Sequence, residues 1–290
     1  MDGPDLLHTS TIIIRSIVLK RELKTINIDT MKSIENQSCN NAPSLHRNVV
    51  FSEDKVRTIL NKVTMKTIDL HSREMLRCVA QVMMNSGDDG ELRELLKLIL
   101  NICSANRGYN ADVYAAVIKR VVIMVPSSRD YLIEYVGCYK SDMDSLNHAS
   151  PRSYNQFCEC VTSKELRKGS LVMIKSLEAC DGLSLDVIMD ILVFLVEKIQ
   201  GWCGVREKSS EIDELVDHLY LLTSEGNIGK ICEQPVWGRE LFPKVLSLSR
   251  LRATSHGNCS ISMRAHFRLK DIVKMQAILA MERAAKSPSS

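Results

Sequence analysis

The segment S-E-I-D-E-L-V-D-H-L-Y-L-L-T, residues 210–223, decides the fold class of this chain. Its large apolar residues recur at intervals of three and four, which places them on one face of an α-helix. They are Ile212, Leu215, Val216, Leu219 and Leu222. Ser210 precedes this face as a predicted cap, and the acids predicted to face outward are Glu211, Asp213, Glu214 and Asp217. The segment thus predicts an amphipathic helix that buries its apolar face against other helices.

The same periodicity recurs on both sides of this segment, from Ser52 to Ala285. Short polar turns separate the apolar stretches, and aromatic residues make up only 5% of the chain. The predicted helices include residues 109–124, 129–139, 151–160, 166–180, 185–199, 235–251 and 260–285. Two successive helices with their loops span about 40 residues, the length of a HEAT or armadillo unit. We therefore predict an all-α, HEAT-type helical-repeat solenoid of about ten antiparallel helices.

The first 50 residues differ from the rest of the chain. Residues 11–19 are rich in Ile and Val, and residues 33–48 carry Ser, Asn, Gln and one Pro, which is typical of a linker. We predict that residues 1–50 form an N-terminal extension and linker, and partner binding by this extension is left open. Residues 51–285 are predicted to form the HEAT-repeat domain, and residues 286–290 a short tail.

Charge and composition narrow the function classes. The net charge is only +3, so the overall charge does not indicate a nucleic-acid partner. Between Arg239 and Lys286, however, ten Lys or Arg residues accompany three acids, which predicts either one face for an anionic partner or a solvated helix.

The ten cysteines form no C-x-x-C pair and are interpreted as reduced thiols, mostly core fillers, of a cytoplasmic protein. The most apolar stretch, Val187–Val196, is shorter than the roughly 20 residues that span a bilayer, so no membrane is expected.

Catalytic and cofactor signatures are missing from the sequence. It contains neither a phosphate loop, nor a G-x-G-x-x-G motif, nor H-E-x-x-H. The stretch Gly226–Lys230 has the composition of a phosphate loop but the wrong spacing, and is predicted to be a turn that ends a helix. His266 is predicted to be a surface or groove residue, and no His or Cys set has zinc-ligand spacing. We expect no enzyme activity, no metal and no cofactor.

Two segments carry a family likeness. They are V-R-T-I-L-N-K-V-T at residues 56–64 and R-A-H-F-R-L-K-D-I-V-K-M at residues 264–275. Weaker matches lie between them at residues 111–115 and 214–223. The ordered set resembles the middle domain of eukaryotic translation initiation factor 4 gamma, whose opening helix reads V-R-x-I-L-N-K-[LV]-T and whose closing helix reads R-I-R-F-M-L-x-D-V-x-D-L. The resemblance covers about residues 51–283.

The resemblance implies a scaffold that binds and activates a DEAD-box RNA helicase of the initiation factor 4 alpha type by shifting its conformational populations. By motif position, the implied helicase-binding residues are Arg57, Asn61, Lys62, Thr64, Arg264, Phe267, Lys270 and Asp271. For Phe267, core packing is the favoured alternative. RNA binding is the second implied activity, and the basic residues assigned to it are Lys244, Arg250, Arg252, Arg268 and Lys274, with Arg264 and Lys270 able to contribute.

Further expectations concern partners. The family's tyrosine motif for a cap-binding subunit is absent, so binding of such a subunit through residues 1–50 is left open. The chain is expected to be a monomer within a larger complex. The alternatives are a related helical scaffold in mRNA decay or nuclear cap binding, and an unrelated helical-repeat adaptor.

Overall fold

The computed structural model describes residues 53–85, 90–106, 109–146, 153–224, 227–251 and 260–286. These residues form α-helices joined by turns and contain no strand, which confirms the all-α class. The N-terminal extension, the boundary near residue 50 and Arg252 lie outside the described residues. The helices within them are α1 (Glu53–Lys62), α2 (Ile68–Asn85), α3 (Gly90–Ala105), α4 (Ala111–Met124), α5 (Ser128–Asp144), α6 (Tyr154–Ala179), α7 (Leu185–Trp202), α8 (Ser209–Thr223), α9 (Ile228–Cys232), α10 (Phe242–Arg250) and α11 (Met263–Lys286), with one π-helical turn (Trp237–Leu241) directly before α10.

The contacts divide the chain into two compact units. In the first unit, residues 1–98 with 120–128, α1 packs against α2. Val56, Ile59 and Leu60 form the buried stripe of α1, as their helical spacing requires. Thr64 and Thr67 follow α1 and cap the entry to α2, because each backbone N–H donates to the other's hydroxyl oxygen, at 3.0 and 3.2 Å.

The second unit, residues 99–119 with 129–290, contains α5 to α11. Its centre is α7, the most apolar of these helices, whose buried residues include Ile188, Leu192, Leu195 and Ile199. Helix α8 packs on α7, α11 packs on α10, and α11 also packs on α8. Gly169 lets α6 approach α3 closely, since a Cβ at this position would lie 2.0 Å from the Ser104 carbonyl oxygen.

Several element boundaries differ from the sequence prediction. Residues 151–160 and 166–180 are not two helices: α6 runs unbroken from Tyr154, with Ser153 as its cap. No Gly or Pro lies between residues 160 and 166 to end a helix. The predicted turn at Gly226–Lys230 is partly wrong, because Ile228–Cys232 forms the short helix α9. Of the eight described cysteines only Cys78 and Cys103 are buried, so the core-filler interpretation holds for those two alone.

Helix α8 confirms the predicted helix but not its predicted polar face. Its apolar stripe is buried as expected, yet Glu211 and Glu214 are buried as well. Arg167 on α6 compensates Glu214 through two bonds, from Nε to Oε1 at 2.7 Å and from Nη2 to Oε2 at 3.1 Å. Lys208 pairs with Glu211 at 2.8 Å. Buried carboxylates are stable only with such partners, and the sequence pattern gave no sign of them. Lys208 also precedes the first residue of α8, so Ser210 is not its cap.

Candidate partner-binding surfaces

The inner side of α11 is fixed against the second unit by apolar and polar contacts. Ala265, Leu269 and Ile272 are fully buried at helical spacing. The buried indole of Trp237 donates from Nε1 to the Gln276 side-chain oxygen at 2.7 Å. These contacts fix the rotation of α11 about its axis and so determine which residues face outward.

An acidic edge of α8 pairs with the basic first half of α11. The Arg264 guanidinium donates to the Asp217 carboxylate at 2.6 Å, and Arg268 lies 3.8 Å from the same carboxylate. The Arg268 guanidinium also lies 4.3 Å from the centre of the Tyr220 ring, a cation–π arrangement. Ser262 donates to Asp213, whose pKa is raised by burial although this bond opposes the rise. Arg264 and Arg268 therefore have acidic partners within the chain.

The outer side of α11 combines apolar and basic side chains. Phe267 is 56% exposed and Met281 is 73% exposed, so the core-packing interpretation of Phe267 is wrong. His266 was predicted to be a surface or groove residue, and this prediction is wrong, because the side chain is buried. Its ring lies edge-on to the Phe267 ring, with 5.9 Å between the ring centroids. We call the following six exposed residues the α11 face: Met263, Phe267, Lys270, Lys274, Ile278 and Met281.

Lys270 and Lys274 supply the charge of the α11 face. Both are exposed, and neither has an ion-pair partner among the residues that the structure describes. Asp271 is also exposed, to one side of this face. The structure thus brings Phe267, Lys270 and Asp271 to the surface together, whereas Arg264 is held by Asp217.

The α1 segment presents a smaller polar surface in the first unit. Asn61 and Lys62 are exposed at the end of α1. Arg57 is exposed as well, but its guanidinium donates to Glu53 one helical turn earlier, at 2.8 Å from Nε. The Thr64 side chain accepts from Thr67 as part of the cap. Asn61 and Lys62 therefore remain the residues of this segment most available to a partner.

The basic residues assigned to RNA are not equally available. Arg250 and Lys274 are exposed. Lys244 is partly covered and lies 4.0 Å from Glu197, and Arg268 is engaged by Asp217 and Tyr220. Arg252 lies outside the described residues. The structure therefore leaves fewer available cations on this part of the chain than the sequence count implies.

Sequence reasoning missed three members of the α11 face, which are Met263, Ile278 and Met281. The available signal was a second apolar stripe in residues 263–281, in addition to the stripe of Ala265, Leu269 and Ile272. An isolated amphipathic pattern is normally assigned to the core, so a second stripe on the same helix is the sign of an exposed contact surface.

Other classes of site find no support in the described part of the chain. No group of His, Cys, Asp and Glu residues there has the arrangement needed to hold a metal ion. None of the helices there is both long and apolar enough to cross a membrane. Comparison with protein-family models and with curated proteins found no match.

Proposed function

We propose that this protein is a HEAT-type helical scaffold of the cytoplasm that binds and activates a DEAD-box RNA helicase during translation initiation. The motif resemblance at residues 56–64 and 264–275 motivates the proposal. The observation that carries it is the outward position of Phe267 with Lys270 and Asp271, at three of the motif positions that the resemblance assigns to the helicase. An exposed aromatic ring surrounded by charged groups has the composition of an interface hot spot.

The packing of the second unit supports the HEAT-type part of the proposal. Helices α7 and α8 form one pair, and α10 and α11 form the next. Across the two pairs, α7 packs on α10 and α8 packs on α11. The first helix of one pair thus contacts the first helix of the next pair, and the second contacts the second. This is the contact pattern of stacked two-helix repeats.

Asn61 and Lys62 in the first unit supply the second proposed helicase contact. They are exposed next to the buried stripe of α1, so their replacement removes contact groups without disturbing the core. Thr64 belongs to the cap of α2, and we assign it to stability rather than to the contact.

RNA binding is a subordinate part of the proposal. Lys274 and Arg250 are its main phosphate contacts, because Lys244 and Arg268 lie close to acidic groups within the chain. With so few phosphate contacts, binding should be weak, tolerant of sequence and lost at moderate salt.

The test uses the full chain and a purified helicase of the initiation factor 4 alpha type. We expect the chain to bind the helicase in a pull-down assay and to raise its RNA-stimulated ATPase rate. Asn61→Ala with Lys62→Ala should weaken binding, as should Phe267→Ala with Lys270→Ala. Lys97→Ala, on the exposed side of α3, serves as the control. Absence of both binding and ATPase stimulation overturns the proposal, as does equal activity of all variants.

A further inference from the structure

The α11 face is a continuous strip along one side of a long helix. Its residues follow one another at intervals of 4, 3, 4, 4 and 3 positions from Met263 to Met281, which keeps them within about 100° around the helix axis. The strip runs for about 27 Å, at about 1.5 Å per residue. All six residues are exposed, so this strip lies opposite the side that packs against α8 and α10.

The order of residue types along the strip is symmetric. Two apolar residues, Met263 and Phe267, stand at its beginning, and Ile278 and Met281 stand at its end. Lys270 and Lys274 occupy the middle, and the exposed Asp271 lies beside them, which leaves one net positive charge there. A partner that covers the whole strip therefore has to offer apolar groups at both ends and negative charge between them.

This order argues against a second copy of the chain as the occupant. If two α11 faces met in antiparallel fashion about a two-fold axis, the lysine pair of one would lie against the lysine pair of the other. Like charges placed opposite each other are unfavourable. Four lysines would then meet only the two Asp271 carboxylates, so a two-fold contact between these faces is disfavoured by its own charges.

The order also argues against lipid, and against nucleic acid as the partner that covers the whole strip. Helices that lie on membranes carry their lysines on the polar side, away from the apolar stripe, whereas Lys270 and Lys274 interrupt the stripe. A phosphate backbone would use the two lysines but would leave Met263, Ile278 and Met281 without a contact. Methionines on an exposed helix face are typical of surfaces that accept a partner's helix.

We infer that the α11 face binds an amphipathic helix of a protein partner that carries large apolar residues at both ends of its contact side and carboxylates at the centre. The partner helix needs about 18 residues to match the strip. The inference deepens the proposed function, because it names the chemistry that the partner presents to Phe267 and Lys270. It extends the contact to Met263, Ile278 and Met281, which the family motif does not include.

The experiment uses the full chain and two synthetic helical peptides of about 18 residues. Both peptides carry leucines near each end of one side, on a background of Ala and Gln. One has two glutamates at the centre of that side, and the other has two lysines. Fluorescence anisotropy at low ionic strength measures their binding, and we expect the acidic peptide to bind at least about tenfold more tightly.

Matched variants assign the binding to the α11 face. Lys270→Glu with Lys274→Glu should reverse the preference, so that the lysine peptide binds more tightly. Lys66→Glu with Lys97→Glu changes the net charge equally at exposed positions of the first unit and should leave the preference unchanged. Phe267→Ser with Met281→Ser should weaken the acidic peptide about tenfold, and circular dichroism checks that helix content is retained.

The outcomes separate this inference from the proposed function. If both peptides bind equally, or if the charge-reversed variant keeps its preference for the acidic peptide, the inference is wrong. It is also overturned if the chain dimerises in sedimentation and Phe267→Ser abolishes the dimer, since the occupant is then a second copy. A helicase that binds and is activated while the acidic peptide is ignored leaves the proposed function standing. Charge-dependent peptide binding without any helicase binding leaves only the inference standing.

Discussion

Replacing Arg167 with Met should destabilise the second unit strongly, because it removes the cation that compensates a fully buried carboxylate. The Glu214 side chain has 0% exposure, and that of Arg167 has 15%. Two hydrogen bonds from one guanidinium reach both oxygens of this carboxylate. Methionine keeps the aliphatic part of the side chain and therefore isolates the effect of the charge.

The magnitude follows from this burial. Removing one partner of a buried ion pair costs about 3–5 kcal/mol, most of it the penalty for the charge left behind. The partial exposure of Arg167 admits some water to the site, which places the expected loss in unfolding free energy near the lower limit, at about 3 kcal/mol. Removing both charges together, in Arg167→Met with Glu214→Gln, should cost less than removing the arginine alone.

Tryptophan fluorescence during urea unfolding measures this loss in the correct unit. The chain has two tryptophans, Trp202 and Trp237, and both belong to the second unit together with Arg167 and Glu214. The first unit therefore contributes no tryptophan signal. A loss of less than about 1 kcal/mol in the free energy of unfolding of Arg167→Met contradicts this assignment. So does additivity, in which Glu214→Gln destabilises the Arg167→Met variant as much as it destabilises the unchanged protein.

Four further predictions address other parts of the structure. Burial lowers the pKa of His218 from 6.5 to about 4. As the pH is lowered, the unfolded chain therefore binds this proton before the folded chain does, and the free energy of unfolding decreases by about 2 kcal/mol between about pH 7 and about pH 5. Urea titrations of His218→Gln should lack this decrease. Gly169→Ala should destabilise the second unit by about 2 kcal/mol or more through the clash with the Ser104 carbonyl. Gly137→Ala, on α5 with nothing within 4 Å of the added Cβ, should raise stability by about 0.5–1 kcal/mol in the same assay. Thr64→Ala should remove about 1 kcal/mol of capping energy, measured as faster hydrogen exchange of α2 amides, and unchanged exchange contradicts the assigned cap.

Helix α8 shows what periodicity predicts and what it misses. The spacing of Leu215 and Leu222 predicts both the helix and its buried side, and both predictions are confirmed. Glu211 and His218 occupy the same side by position, at intervals of four and three from these leucines. The acids were predicted to face outward on residue type alone. The burial of Glu211 and Glu214 depends on Lys208 and on Arg167. Arg167 lies 47 positions away from Glu214, a separation at which helical spacing carries no information.

The predicted helix boundaries within α6 were wrong for a related reason. The first three turns of α6, from Tyr154 to residue 163, bury none of their residues, so the apolar pattern that marks a packed helix is weak there. A helix without a packed side is predicted only from the absence of breakers. The π-helical turn at Trp237 has no signal in the sequence pattern either, and the buried indole within it donates to Gln276 on α11, 39 positions away.

The two surfaces of α11 show why the charge of a segment differs from the charge of a face. Residues 239–286 hold a large excess of Lys and Arg, which favours a phosphate-rich partner when all of them are counted. The structure assigns Arg264 and Arg268 to Asp217, and this pairing holds α11 against α8. What remains on the exposed side is a pair of lysines, with Asp271 beside them, between apolar residues. Since apolar contacts add little to phosphate binding but much to a protein interface, the arrangement moves the expected partner of this helix from nucleic acid toward protein.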